Sequence, residues 1–428
     1  MTDDIKKPTR RTAITGALAT IAAARTLVPG GAYAQAARGP ETTRARLGFI
    51  ALTDCSPLII AKERGYFTRY GLPDVEIVKQ ASWAATRDNL VLGSAAGGTD
   101  GAHILSPMPY LMTLGTITGA RPMPMNILCR LNINGQAISV SNALRPANVR
   151  LSATGLAARF AQMKAAGNTA KCAMTFRGGT HDLWLRYWLA AGGVNPDRDC
   201  ETIVIPPPQM VANMRAGTQD VFCVGEPWNG QLVSQKLGYT ATTTSEIWMN
   251  HPEKCLGMRA DWVARYPRAA QALVAAVMDA QRWCDQMGNR GAMCSIVSGR
   301  PYINVPINDI QPRLRGAIDY GDGRVAQSSP HIMKFWADNA SFPYKSHDSW
   351  FLAENIRWGN IPASTDIDAL VNRVNRADIW RAAAQRLNVP APASDSRGVE
   401  RFFDGKTFDP ANPRAYLASL AIKHATAA

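Results

Sequence analysis

The chain has 428 residues, 46% hydrophobic and 19% charged, with a formal charge of +14. That composition excludes a disordered or fibrous protein, and the length accommodates two lobes with further structure besides. A basic surface favours anionic partners, but no run of five or more Lys/Arg occurs and the basic residues do not cluster with aromatics, which argues against nucleic acid.

Residues 1–34 read as a targeting segment. Thr9-Arg10-Arg11 precedes the weakly apolar AITGALATIAAA and then Ala32-Tyr33-Ala34, the order of charged region, apolar region and A-x-A cleavage site. The paired arginines resemble a twin-arginine signal. Ala13 stands where an aromatic usually follows, so the general secretory route stays open. The expectation is a periplasmic protein.

Beyond the signal the chain runs one programme twice. In the first unit the apolar run ARLGFIAL leads to Asp54, Ser56 and Pro57, signals of a helix start for LIIAKERGYF, with Asp54 a candidate cap. VEIVKQ and GAHIL follow as further strands. In the second unit KCAMTF leads through Gly178-Gly179 to the helix HDLWLRYWLAA, with Thr180 as N-cap, and then to ETIVI and VFCV. Strands alternating with helices predict a parallel-rich sheet in each unit, hence two α/β lobes facing one another. Ligands bind such sheets beyond the carboxyl ends of the strands. The residues found there are Thr53, Asp54, Trp83 and Ser106 in the first lobe, and His181, Pro206 to Pro208, Gly225 and Glu226 in the second. Between the units, MNILCR and QAISVS flank Asn134-Gly135, a crossing or hinge.

From Asp261 the character changes. DWVARYPRAAQALVAAVMDAQRWCDQM reads as one long amphipathic helix, and the remainder is helix-rich, with Trp336, Trp350, Trp358 and Trp380 as packing residues. Eight cysteines contain no C-x-x-C pair, which argues against a zinc ribbon and allows one or two disulfides. Nucleophile-elbow, H-E-x-x-H, phosphate-loop and dinucleotide motifs are all missing. His181 and Asp182 are adjacent on one helix, so they point about 100° apart and make no catalytic pair. An enzyme is not expected.

The segments RLGFIALTDCSPLIIAKERGYFTRYGLPDVEIVKQASW, DGAHILSPMPYLM, GGTHDLWLRYWLAAGG, GEPWN, HPEKCLGMRADWV, FPYKSHDSWFLAENIRWG and SRGVERFFDG resemble the nitrate/bicarbonate-binding family of ABC-transporter solute receptors. The resemblance implies an α/β, two-lobed periplasmic-binding-protein fold of type II with a helix-rich C-terminal extension. Its expected division is lobe I over 45–140, lobe II over 141–255, and a return helix and extension over 256–428. It implies capture of nitrate or nitrite for a membrane permease, with no cofactor. In the nitrate branch, as the resemblance has it, Trp83 and Gln136 come from one lobe. His181, Lys254 and backbone at Pro207 and Val224 come from the other. The chemistry suits a flat monoanion, which wants in-plane N–H donors, one positive charge and an aromatic wall.

The bicarbonate branch instead pairs its ligand with calcium, held partly by a carboxylate near that lysine. Glu253 in place of Lys254 as the equivalent position would invert the preference. A cytoplasmic nitrate sensor of the same fold would have no use for residues 1–34.

Overall fold

The computed structural model describes residues 39–424, so the targeting segment expected over residues 1–34 lies outside the described residues. The apolar runs of the first unit become β1 (Arg44–Phe49), β2 (Asp74–Lys79), β3 (Gly101–Leu105) and β4 (Met125–Arg130). The second unit supplies β5 (Gln136–Ser141), β6 (Lys171–Met174), β7 (Glu201–Val204), β8 (Val221–Gly225) and β9 (Gly238–Thr243), and β10 (Lys254–Arg259) follows.

Two five-stranded sheets result, ordered β2-β1-β3-β10-β4 and β7-β6-β8-β5-β9. Their plans match. Three parallel strands are followed by a fourth, β10 or β5, that runs antiparallel to both its neighbours. These fourth strands are the ones the chain reaches by crossing between lobes. The two crossings lie side by side: Leu131 N–H donates to the Lys254 carbonyl at 2.8 Å and Asn134 N–H to the His251 carbonyl at 3.1 Å. Ile133 and Lys334 exchange hydrogen bonds of 3.0 and 3.2 Å, so the C-terminal extension straps this hinge. Gly135 makes the close approach possible. Its φ is +86°, and a Cβ there would stand 2.3 Å from the end of the Met333 side chain.

The helices that position the site are α1 (Ser56–Glu63), α2 (Trp83–Leu92) and α3 (Thr180–Ala191). The long helix expected after Asp261 is two, Ala260–Arg265 and α4 (Pro267–Asp285). Pro267 has no N–H and pushes Tyr266 out of the helical region, to φ −129° and ψ 59°. From the extension, α5 (Lys345–Arg357) bridges both lobes. Its Asp348 accepts from Arg130 of the first lobe, and Asn355 Nδ2 donates to the Gly178 carbonyl of the second at 3.2 Å. Trp350 stacks on Trp184 of α3 with ring centroids 4.7 Å apart.

All eight cysteines are buried and free, so the one or two disulfides that the sequence allows are not formed. They pack as small apolar groups, and burial pushes the Cys255 thiol up to about 12, far from the reactive thiolate. Among the described residues no helix is long and apolar enough to cross a membrane.

Candidate functional site

The loops at the carboxyl ends of both sheets meet beside the hinge. Ser82 caps α2, its Oγ accepting from Ala85 N–H at 3.1 Å, and this cap sets Trp83 as the first helical residue with its side chain fully buried. His181 stands in the first turn of α3. Gln136 opens β5, and Lys254 opens β10.

These four side chains converge. His181 Nε2 lies 2.7 Å from Gln136 Oε1, and His181 Nδ1 lies 2.5 Å from Thr175 Oγ1. Gln136 Nε2 donates to Asp54 Oδ2 at 3.1 Å. Because Gln136 presents its oxygen to the imidazole, His181 carries its proton on Nε2 and accepts from the Thr175 hydroxyl at Nδ1. The Lys254 ammonium sits 3.0 Å from Asp54 Oδ2, 2.6 Å from Glu253 Oε2 and 5.8 Å from the centre of the Trp83 ring. Trp83 Nε1–H is buried and has no hydrogen-bond partner among the described residues.

Gly225 leaves room for Gln136 and Asp54. A Cβ at that position would lie 2.5 Å from Gln136 Oε1 and 3.4 Å from Asp54 Oδ2. Two direct latches close the lobes beside it: Thr53 N–H donates to the Glu226 carbonyl at 2.8 Å, and Trp228 Nε1–H to the Ala51 carbonyl at 3.0 Å.

The expected division put Gln136 with Trp83 in one lobe and Lys254 with His181 in the other. The sheets place them the other way round. Gln136 pairs with Gly225 in the second sheet, and Lys254 pairs with Leu105 in the first. Each residue follows a crossing directly, and its sheet is decided by distant pairing, not by its sequence neighbours.

Val224 lies beside this group, paired with Ala137 next to Gln136. Pro207, itself buried, opens the 3-10 turn Pro207–Gln209. The Val224 carbonyl accepts from Asn229 Nδ2 at 2.9 Å. Among the described residues, no hydrogen bond ties either to the Trp83 group. Thr180 is not the cap of α3; its hydroxyl donates to Glu253 Oε2 at 3.0 Å, and Gly179 takes the cap position.

Asp54 belongs to the site, although the sequence offers it as a helix cap. It makes no capping bond, and its Oδ1 lies 2.6 Å from His103 Nε2. Its place beyond the carboxyl end of the first strand is the sequence signal that fits this role. Glu253, the rival of Lys254, turns instead to Thr180, to Trp184 Nε1 at 3.2 Å and to Lys254 itself.

The charges follow from burial and these contacts. Burial alone would raise the Asp54 carboxyl, but the Lys254 ammonium and the His103 ring outweigh it and hold Asp54 well below the usual carboxylate range. Burial works against the Lys254 charge, and Asp54 with Glu253 more than restores it, so Lys254 stays protonated. Burial dominates at Glu253 and raises its carboxyl despite the ammonium beside it. His181 is held neutral by burial first and by Lys254 second. The result is a buried group with one firm positive charge and an unpaired indole N–H, in which the imidazole and amide N–H groups donate to Gln136 and Asp54. The N-terminus of α3 also points at it. That set suits a small oxyanion.

Burial also pushes His251, which lies against Trp184 with ring centroids 4.5 Å apart, and His347 down to about 3. Both stay neutral in the fold while the unfolded chain protonates them below 6.5, so stability is complete above that value and is lost as pH falls towards 3. The two together contribute a slope of about 3 kcal/mol per pH unit. Urea unfolding is expected to show a midpoint that drops steadily from neutral to about pH 5, before most carboxylates titrate. A flat midpoint over that range would contradict the assignment.

Two α/β lobes joined by paired crossings, with buried polar side chains from both converging at the hinge, define a periplasmic-binding-protein fold. The chain belongs to the NMT1-like family, whose profile matches residues 38–298. It is 59% identical over 388 residues to the nitrate/nitrite binding protein NrtA of Synechocystis sp. strain PCC 6803, spanning 90% of this chain and 86% of that one. Identity to the bicarbonate-binding protein CmpA of Synechococcus elongatus strain PCC 7942 is 44% over 397 residues, 90% and 88% of the two chains. The crystal structure of the periplasmic nitrate-binding protein NrtA from Synechocystis PCC 6803 matches with a TM-score of 0.88 at 58% identity, covering 90% of this chain and all of that one.

Proposed function

We propose that this chain is the solute-binding receptor of an ABC transporter. It captures nitrate, with nitrite as a second ligand, between its lobes and delivers it to a membrane permease. It binds and does not catalyse, and it works in the periplasm after export by the twin-arginine-like segment around Arg10 and Arg11.

The observation that carries the reading is the buried Trp83 Nε1–H without an acceptor, set beside the Lys254 ammonium between the two lobes. A buried N–H left unpaired costs about 1–3 kcal/mol, and an anion oxygen removes that cost. Trp83, Gln136, His181 and Lys254 hold the anion, with backbone at Pro207 and Val224 completing the wall. Higher identity to the nitrate/nitrite binding relative than to the bicarbonate-binding one points the same way.

The Lys254 ammonium also bears on calcium. It occupies the position between Asp54 and Glu253 at 3.0 and 2.6 Å, where a cation bridging those carboxylates would sit. Calorimetry of the mature protein with nitrate, nitrite and bicarbonate, each with and without calcium, tests the proposal. Nitrate is expected to bind one to one and to be indifferent to chelator. Bicarbonate binding that requires calcium, with no heat from nitrate, would overturn it.

A further inference from the structure

A cavity of about 650 Å³ opens at the mouth of the cleft. Its walls come from both lobes and the extension: Ser82 and Arg87, then Thr175, Arg177 and Pro206, and finally Asn360. Its lining adjoins the buried group described above. Ser82 caps the helix that begins at Trp83, the Thr175 hydroxyl holds His181, and Pro206 precedes Pro207.

The lining contains two arginines, one from each lobe, and no carboxylate. Arg87 is partly neutralised by Asp88 at 2.8 Å. Arg177 is exposed, and among the described residues no carboxylate pairs with it. The loop that carries it, just ahead of α3, is anchored on either side. Thr175 is bound to His181, and Gly178 N–H donates to Asp182 Oδ2 at 2.7 Å. A free guanidinium fixed on a cavity whose lining adjoins an anion site has an electrostatic use.

We propose that Arg177, seconded by Arg87, forms an outer capture site that draws the small oxyanion into the cleft and hands it to the buried group. This rests on the reading of that group as an anion site. The field of such a charge acts on the approaching ion, so it speeds association and leaves the bound state nearly untouched. At about 10 Å in water, reversing one charge changes the encounter rate about fourfold, and removing it changes the rate about twofold. The effect fades once the Debye length falls to about 3 Å in molar salt.

Stopped-flow tryptophan emission with nitrate, at low and at high salt, reads this directly in the full mature chain. Arg177→Gln and Arg177→Glu are expected to slow association about twofold and about fourfold at low salt, with dissociation little changed and the difference lost in molar salt. Arg401→Glu, which makes the same change in net charge away from the cavity lining, is expected to associate at the wild-type rate. An unchanged association rate in Arg177→Glu overturns the proposal, as does an equal fall in Arg401→Glu or a change confined to dissociation. A wild-type protein that gives no nitrate signal defeats the anion reading itself, which separates the two failures.

Discussion

Lys254→Glu is expected to raise the nitrate dissociation constant at least about 1,000-fold, a loss of about 4 kcal/mol. The ammonium supplies the only firm positive charge in the buried group, in contact with Asp54 and Glu253 at 3.0 and 2.6 Å. Substitution by a carboxylate turns that attraction into repulsion and leaves two buried acids without their cation, a change of the kind that costs about 3–5 kcal/mol when one partner of a buried pair is removed. Folding is checked by circular dichroism and by Lys254→Gln, which keeps a donor without charge. The neutral variant is expected to lose about 100-fold in affinity. A Lys254→Glu protein that binds nitrate as the wild type does would place this side chain outside the anion's reach.

The second large effect is expected from Trp83→Phe, and here affinity and stability part company. The indole N–H has no acceptor in the fold, so its removal relieves a buried polar group while opening a small void. The two effects oppose one another, and stability is expected to shift by less than about 1.5 kcal/mol. Nitrate loses a charge-assisted hydrogen bond instead, so its affinity falls about 10- to 100-fold. A variant with lower stability and unaltered affinity would make Trp83 a packing residue and nothing more.

Much of this arrangement is legible in the sequence, for reasons that are local. The doubled strand–helix programme follows from hydrophobic period and caps, and it becomes the parallel strands β1 to β3 and β6 to β8. Asn134-Gly135 reads as a hinge because only such residues take positive φ easily, and their values are 59° and 86°. Trp83 is read from its place beyond the strand VEIVKQ, and His181 from the helix that follows Gly178-Gly179. The resemblance to the nitrate/bicarbonate-binding family supplies Gln136 and Lys254, which no periodicity reveals.

What escapes the sequence is long-range pairing. Gln136 and Lys254 change sheets because β5 and β10 are exchanged between lobes, a decision made by strands far away in the chain. Asp54 has the composition of a helix cap, yet it turns to His103 and Gln136, 49 and 82 residues on. The glycine at 225 looks like any loop glycine until Gln136 and Asp54 are seen to need the space a Cβ would fill.

The central claim is that the unpaired indole N–H gains an acceptor when the anion binds. An amide-type ¹⁵N–¹H correlation spectrum reads the tryptophan indole N–H groups one by one, and Trp83→Phe assigns the signal in question by deleting it. The expected result is a downfield move of that proton on saturation with nitrate, larger than that of any other indole. A Trp83 signal that stays in place while calorimetry shows nitrate fully bound would put the anion elsewhere and contradict the account.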